Sequence, residues 1–82
     1  MKKYKGKSNA YGSIIEYYRL KNKFSRNDLS RELDLIDIPI SPDELYRIEK
    51  QKLVLKDYEL IAICHILHID YKELEKIINE NK

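Results

Sequence analysis

The chain has 82 residues, of which 43% are hydrophobic and 37% are charged, with only two glycines and two prolines. This length and composition predict one soluble helical domain, and no apolar run approaches the roughly 20 residues that a membrane span needs. The single cysteine excludes an internal disulfide, so packing alone must hold the core.

The charge is unevenly distributed along the chain. Eight basic residues and one acidic residue, Glu16, occur up to Arg26, whereas eight basic and thirteen acidic residues follow it. Residues 1–9 contain four lysines and little apolar content, which predicts a flexible basic arm ahead of a domain over residues 10–82. The arm either contacts a nucleic acid or serves only as a solubilising tail. It lacks the apolar centre of a signal peptide, so we expect a cytoplasmic protein.

Two helices are predicted in the first half of the chain. Apolar spacings of three and four residues within 11–23 indicate the first helix, with its stripe formed by Ile14, Ile15 and Tyr18. Ser25 is a typical N-cap, and Asp28 supplies a short version of the capping box. The stripe of this second helix consists of Leu29, Leu33 and Ile36.

A third helix is predicted over residues 42–51. Pro39 disfavours a helical backbone before it and interrupts the second helix. The following tetrapeptide, residues 41–44, has the features of a helix start, because Ser41 caps, Pro42 fits the first turn and Glu44 closes a capping box. Leu45 and Ile48 are expected to face inward.

Two further helices complete the predicted architecture. Asp57 is the expected cap of the fourth helix, whose buried face consists of Leu60, Ile61, Ile63, Cys64 and Leu67. Asp70 and Glu73 repeat the capping-box pattern and begin a fifth helix. The apolar residues of that helix are Leu74, Ile77 and Ile78.

The sequence offers little chemistry of its own. It contains no nucleophile–base pairing, no phosphate-binding glycine loop and no paired-carboxylate motif, so we do not expect an enzyme. Cys64 and His68 share a helical face beside His65, but zinc needs three or four protein ligands and no fourth candidate is evident. We therefore predict no metal and no cofactor, and interpret Cys64 as a core residue.

The order of these features resembles the Cro/C1-type helix-turn-helix family (XRE family), which includes phage repressors and many bacterial regulators. The likeness extends from Tyr11 to about Leu74. The matching positions are Ile15, Tyr18, Arg19, Phe24, Ser25, Asp28, Leu29, Leu33, Arg47-Ile48-Glu49, residues 57–63 and Leu67-His68-Ile69. The resemblance implies an all-α fold, a five-helix lambda-repressor-like DNA-binding domain whose recognition helix is residues 42–51.

The chain departs from this family at three places. Extra residues lie between Leu33 and Ser41. Lys23 and His68 stand where the family has glycines, so we expect both to adopt a positive φ, which strains any other residue. The third departure is the acidic start of the recognition helix, with Asp43 in its first turn.

The resemblance also implies roles for individual residues. Base contacts fall to Asp43, Tyr46 and Arg47, phosphate contacts to Arg26, Ser41 and Lys50, and a structural ion pair to Arg19 and Glu49. A guanidinium such as that of Arg47 can bind both major-groove acceptors of guanine, although an ordinary solvated arginine explains it equally well. The acidic residues Asp43 and Glu44 are also explained by helix-start electrostatics alone.

Two functions remain open at this stage. The first is a sequence-specific regulator that binds double-stranded DNA, expected to be a repressor, and forms a homodimer through the C-terminal helix. The alternative is a protein-binding helix-turn-helix module, such as an accessory factor or anti-repressor, with little affinity for DNA. The acidic recognition helix favours the alternative, and the basic N-terminal part favours the regulator.

Overall fold

The computed structural model describes residues 11–80, apart from the side chains of residues 71 and 77–80. Its helices are α1 (Gly12–Lys21), α2 (Arg26–Leu35), α3 (Pro42–Glu49), α4 (Asp57–Leu67) and α5 (Tyr71–Glu80). No strand occurs within residues 11–80, so the predicted all-α class and the five helices are confirmed. The predicted basic arm, residues 1–9, lies outside the described residues.

Capping boxes fix the starts of α2 and α3. The Ser25 hydroxyl accepts from the Asp28 amide, and the Asp28 carboxylate accepts from the Ser25 amide, both at 3.0 Å. Ser41 and Glu44 make the same reciprocal pair at 3.1 Å, with Pro42 as the first residue of α3. Both predicted helix starts are confirmed, because each box satisfies amides that have no partner inside the helix.

Two predicted boundaries were wrong. The third helix ends at Glu49 rather than at residue 51, because Gln51 has a φ of 63° and leaves the right-handed helix. Asp57 is the first residue of α4 and not its cap. Lys56 takes the cap position, and its amide donates to the Glu59 carboxylate at 2.8 Å.

The first four helices all end in the same left-handed turn. The residues with positive φ are Lys23, Asp37, Gln51 and His68, at 60°, 61°, 63° and 57°. After each one, an amide donates to the carbonyl five residues earlier: Phe24 to Arg19, Ile38 to Leu33, Lys52 to Arg47 and Ile69 to Cys64. This is the Schellman pattern, which usually uses glycine at the left-handed position. The positive φ expected at Lys23 and His68 is confirmed.

The core draws on all five helices. Its fully buried side chains are Ile15, Leu29, Leu33, Leu45, Ile48, Ile63, Leu67 and Leu74. Two residues assigned to buried stripes are instead exposed: Ile36 by 50%, because it follows the last turn of α2, and Ile61 by 54%, because it lies on the outer face of α4. None of the helices within residues 11–80 is both long enough and apolar enough to cross a membrane.

Candidate nucleic-acid interface

The start of α1 lies directly against the end of α3. A methyl group at Gly12 would overlap the carbonyl oxygen of Ile48 and come within 2.9 Å of the carbonyl oxygen of Glu49. Only a residue without a side chain permits two backbones to approach so closely. This contact fixes α3 relative to α1 before any side-chain interaction is considered.

A buried ion pair joins the same two helices. Arg19 Nε lies 2.6 Å from Glu49 Oε2, and Arg19 Nη2 lies 3.3 Å from Glu49 Oε1. The remaining Arg19 nitrogen, Nη1, donates to the carbonyl of Phe24 at 2.8 Å. Both residues are at most 5% exposed. The structure therefore brings together Arg19 and Glu49, and their contact connects α1, α3 and the turn before α2.

A second group of charged residues surrounds this pair at the surface. Arg26 Nε lies 3.0 Å from Glu49 Oε1, and Arg26 Nη2 lies 3.5 Å from Glu16 Oε2. The same Glu16 oxygen lies 3.6 Å from Lys50 Nζ. Two of the three predicted phosphate ligands, Arg26 and Lys50, are thus already engaged by carboxylates of the chain itself.

Tyr46 completes this group, which we call the Glu16 cluster (Glu16, Arg26, Tyr46, Glu49 and Lys50). The Arg26 guanidinium lies 5.0 Å from the centre of the Tyr46 ring, and the Lys50 ammonium lies 5.7 Å from it. Both distances suit a cation–π interaction. The ring is still 45% exposed, so Tyr46 can hold the two cations and contact a ligand at once.

Sequence reasoning missed the role of Glu16. Its partners Arg26 and Lys50 lie ten and 34 residues further along the chain, so no helical spacing indicated these contacts. The contact of Arg26 with Glu49 likewise had no local signal, since it joins the first turn of α2 to the last turn of α3.

The other two predicted base contacts form an exposed pair on α3. Arg47 Nη2 lies 3.2 Å from Asp43 Oδ2, and the two side chains are 52% and 77% exposed. Exposed pairs of this kind contribute about 0–1 kcal/mol, so a ligand can separate them at little cost. Arg47 and Asp43 are therefore accessible, whereas Arg26 and Lys50 are partly occupied.

The beginning of α3 carries the last predicted phosphate ligand. The Ser41 hydroxyl accepts from the Glu44 amide at 3.1 Å. The amide and hydroxyl of Ser41 hold the pKa of the Glu44 carboxyl below its usual range, with a smaller contribution from Arg47. Glu44 therefore stays ionised at the helix start, where negative charge is favourable.

The C-terminal helix differs from its predicted role at one residue. Leu74 was expected on a dimer surface, but its side chain is fully buried in the core of its own chain. It cannot contribute to a contact between two copies, because α5 needs this residue to pack against the rest of the domain. Ile77 and Ile78 lie outside the residues whose side chains the structure describes.

Cys64 and the two neighbouring histidines lie in different environments. Cys64 is buried, and burial raises the pKa of its thiol to about 11, whereas His65 and His68 are exposed. Within the described part of the chain, no group of three or more histidine, cysteine, aspartate or glutamate residues could hold a metal ion.

The outer face of α3 and the residue that follows the helix carry several exposed polar side chains. Asp43, Tyr46, Arg47 and Lys50 are all exposed and recur with helical spacing, while Leu45, Ile48 and Glu49 face inward. Comparison of the chain with protein-family models, with curated proteins and with solved structures found no match. The groups on this face are therefore the basis on which a function can be proposed.

Proposed function

We propose that the chain is a sequence-specific regulator that binds double-stranded DNA as a lambda-repressor-like helix-turn-helix domain, and that it acts as a repressor. The observation that supports this most is the outer face of α3, which exposes Asp43, Tyr46 and Arg47 on a helix braced from behind by Arg19 and Glu49. In a helix-turn-helix motif the second helix of the pair, here α3, enters the major groove, and its N-terminal residues contact the base edges.

Each residue of the face has a distinct role in the proposal. Arg47 leaves its pair with Asp43 and binds the two acceptors of a guanine, while Asp43 accepts from the amino group of a cytosine. Arg26, Ser41 and Lys50 contact phosphates and set the position of α3 in the groove. These contacts together require that α3 keeps a fixed position in the domain. The buried ion pair of Arg19 and Glu49 holds it there.

The regulator acts as a homodimer in this proposal. One small domain offers few base contacts, and a second copy doubles them on two half-sites about one helical turn apart. The C-terminal helix α5 is the proposed dimer contact, formed by residues other than Leu74. Light scattering on a size-exclusion column at tens of micromolar should give the mass of a dimer, and a strict monomer would contradict this part.

Selection from random duplexes, followed by substitution of Arg47, tests DNA recognition. The full chain should enrich one sequence and bind it with an affinity that falls steeply as salt rises. Arg47→Ala should lose about 5- to 150-fold in discrimination at one base position, since a bidentate contact contributes about 1–3 kcal/mol. Arg31→Ala, which removes an exposed guanidinium from α2, is the control and should leave the preferred sequence unchanged. Absence of binding at about 50 mM salt would refute the proposal.

A protein-binding module is the second candidate, and a specific observation favours it. Leu35, the last residue of α2, and Ile36, which follows it, are 74% and 50% exposed. Exposed apolar side chains of this kind suit a protein partner better than phosphates. The same salt titration separates the candidates, because this module would show no affinity for mixed duplex DNA.

A further inference from the structure

We infer that Glu16 is an internal competitor of DNA phosphate: its carboxylate occupies the phosphate site formed by Arg26 and Lys50, and a phosphate must displace it to bind there. This inference rests on the proposed DNA-binding function and adds to it a residue that limits the affinity. It makes the Glu16 cluster a site for one phosphate group, filled in the free chain by a carboxylate of α1.

The arrangement of cations around Glu16 resembles an anion-binding site. One oxygen, Glu16 Oε2, lies 3.5 Å from Arg26 Nη2 and 3.6 Å from Lys50 Nζ. Cations from α2 and from the end of α3 thus converge on a single oxygen, as they would on a phosphate oxygen. The side chains of Glu16 and Arg26 are 30% exposed and that of Lys50 is 42% exposed, so a ligand from solution can reach all three.

Glu16 can be displaced, whereas the other carboxylate of the cluster cannot. Both contacts of Glu16 are longer than the 2.7–2.9 Å of a strong charge-assisted hydrogen bond. Glu49, by contrast, has a fully buried side chain and lies 2.6 Å from Arg19 Nε and 3.0 Å from Arg26 Nε. Glu49 therefore stabilises the folded structure, and Glu16 is the carboxylate that an incoming anion replaces.

The site keeps its shape when Glu16 leaves. Arg26 stays anchored through Nε to Glu49 and through its guanidinium plane to Tyr46, with Nη2 directed at the position that Glu16 vacates. Lys50 stays beside the same ring. A phosphate consequently meets cations that are already in place and loses little affinity to ordering them.

Competition by Glu16 has a measurable consequence in salt. A cation that binds phosphate releases about 0.9 condensed counterions, which sets the slope of log K against log salt. A displaced Glu16 carboxylate takes up cations from solution at the same moment and offsets part of that release. The wild-type chain should therefore bind more weakly, and with a shallower slope, than a chain without this carboxylate.

The experiment compares the affinities of wild type, Glu16→Gln and Glu32→Gln for one enriched duplex across a range of salt. Glu32 is an exposed carboxylate on α2, so its substitution removes the same charge outside the cluster and outside the proposed dimer contact. We expect Glu16→Gln to bind about 3- to 30-fold more tightly at low salt, with a slope that is steeper by less than about 0.9, because Glu16 offsets only part of the release at one phosphate. Glu32→Gln should leave the slope unchanged.

A second pair of variants tests whether the effect passes through the cluster. In a Lys50→Gln background, the gain from Glu16→Gln should shrink, because one of the cations it releases is gone. Equal gains from Glu16→Gln and Glu32→Gln, or an undiminished gain in the Lys50→Gln background, would overturn the competition. Binding by wild type with no change in Glu16→Gln would overturn it while the proposed function stands. Failure of both to bind DNA would overturn the proposed function as well.

Discussion

Glu49 shows how a single carboxylate is made tolerable in the core. Its side chain is fully buried, yet its two oxygens are matched by nitrogens of Arg19 and Arg26. No buried side-chain nitrogen or oxygen in the described part of the chain lacks a hydrogen-bond partner. The burial of Glu49 is therefore compatible with a stable fold only while both arginines remain, because an isolated buried charge is strongly unfavourable.

Removal of Glu49 should consequently destabilise the domain far more than removal of a surface carboxylate. We expect Glu49→Ala to lower the free energy of unfolding by about 3–5 kcal/mol, because it leaves Arg19 buried without its counter-charge. Urea unfolding followed by circular dichroism measures this change. Glu32→Ala, an exposed position on α2, is the control and should stay within about 0.5 kcal/mol.

Replacement of both partners separates the charge from the packing. A double variant, Arg19→Met with Glu49→Met, should recover much of the loss, because two apolar side chains leave no fully buried charge, and Arg26, which is 30% exposed, keeps its contact with Glu16. An unchanged free energy of unfolding for Glu49→Ala would contradict the assignment of this pair as the brace between α1 and α3.

At the scale of the helix, the capping box of α3 makes stability depend on pH. The Ser41 amide and hydroxyl lower the pKa of Glu44 in the folded chain. A carboxyl whose folded pKa is depressed contributes stability above its unfolded pKa and loses it as the pH falls through the folded value. The contribution of Glu44 is therefore complete near neutral pH and declines below about pH 4.5, its ordinary value.

Glu44→Gln tests this dependence, because glutamine keeps the capping geometry and removes the charge. At pH 7 the variant should be less stable than wild type by about 0.3–1 kcal/mol, the usual contribution of a charge near a helix terminus. The difference should shrink in urea titrations below about pH 4.5. A difference that is the same at pH 7 and pH 3 would show that the charge of Glu44 does not stabilise α3.

The starts of α2 and α3 could be predicted from the sequence, but the ends of these two helices could not. Each of these starts is determined by capping side chains within four residues of sequence, such as those of Ser41 and Glu44. The ends depend on left-handed backbone at residues that are not glycine, and Asp37 and Gln51 carry no local sign of it. Their strain is offset by the hydrogen bonds of the Schellman turns, which join each turn to the last turn of the helix before it.

Part of the candidate site was also predictable from the sequence, and part was not. The outer face of α3 was predictable, since helical periodicity puts Leu45 and Ile48 inside and Tyr46 and Arg47 outside. The contacts of Glu16 with Arg26 and Lys50 were not, because they join three helices whose relative placement depends on the whole core. The availability of the cations is thus a property of the tertiary structure and not of the motif.

At the scale of the molecule, the uneven charge along the sequence is partly cancelled by the fold. Arg19 and Arg26 belong to the basic first third of the chain, and both pair with Glu49 from the acidic remainder. The number of basic residues in the first third of the sequence therefore overstates the positive charge of the surface around Arg26. In the proposed competition, the charge that this surface offers to an anion depends on Glu16, since Glu49 is fully buried.

The single cysteine reports on the integrity of the whole core. Cys64 is 5% exposed, and burial raises the pKa of its thiol from 9.0 to about 11. Since only the thiolate reacts with alkylating reagents, roughly one molecule in a thousand is reactive at pH 8, against about one in ten for a thiol of ordinary pKa. Limited access to the buried sulfur slows the reaction further.

We therefore expect iodoacetamide to modify native Cys64 at pH 8 at least about 100-fold more slowly than the urea-unfolded chain. The rate should rise with urea in step with the loss of helical circular dichroism, because α4 cannot expose the sulfur without opening the core. A matched control moves the thiol to the outer face of the same helix: Ile61→Cys combined with Cys64→Ala, where Ile61 is 54% exposed. This variant should react in the native state almost as fast as when unfolded. Equally fast labelling of native Cys64 would mean that α4 opens locally, without unfolding of the rest of the domain.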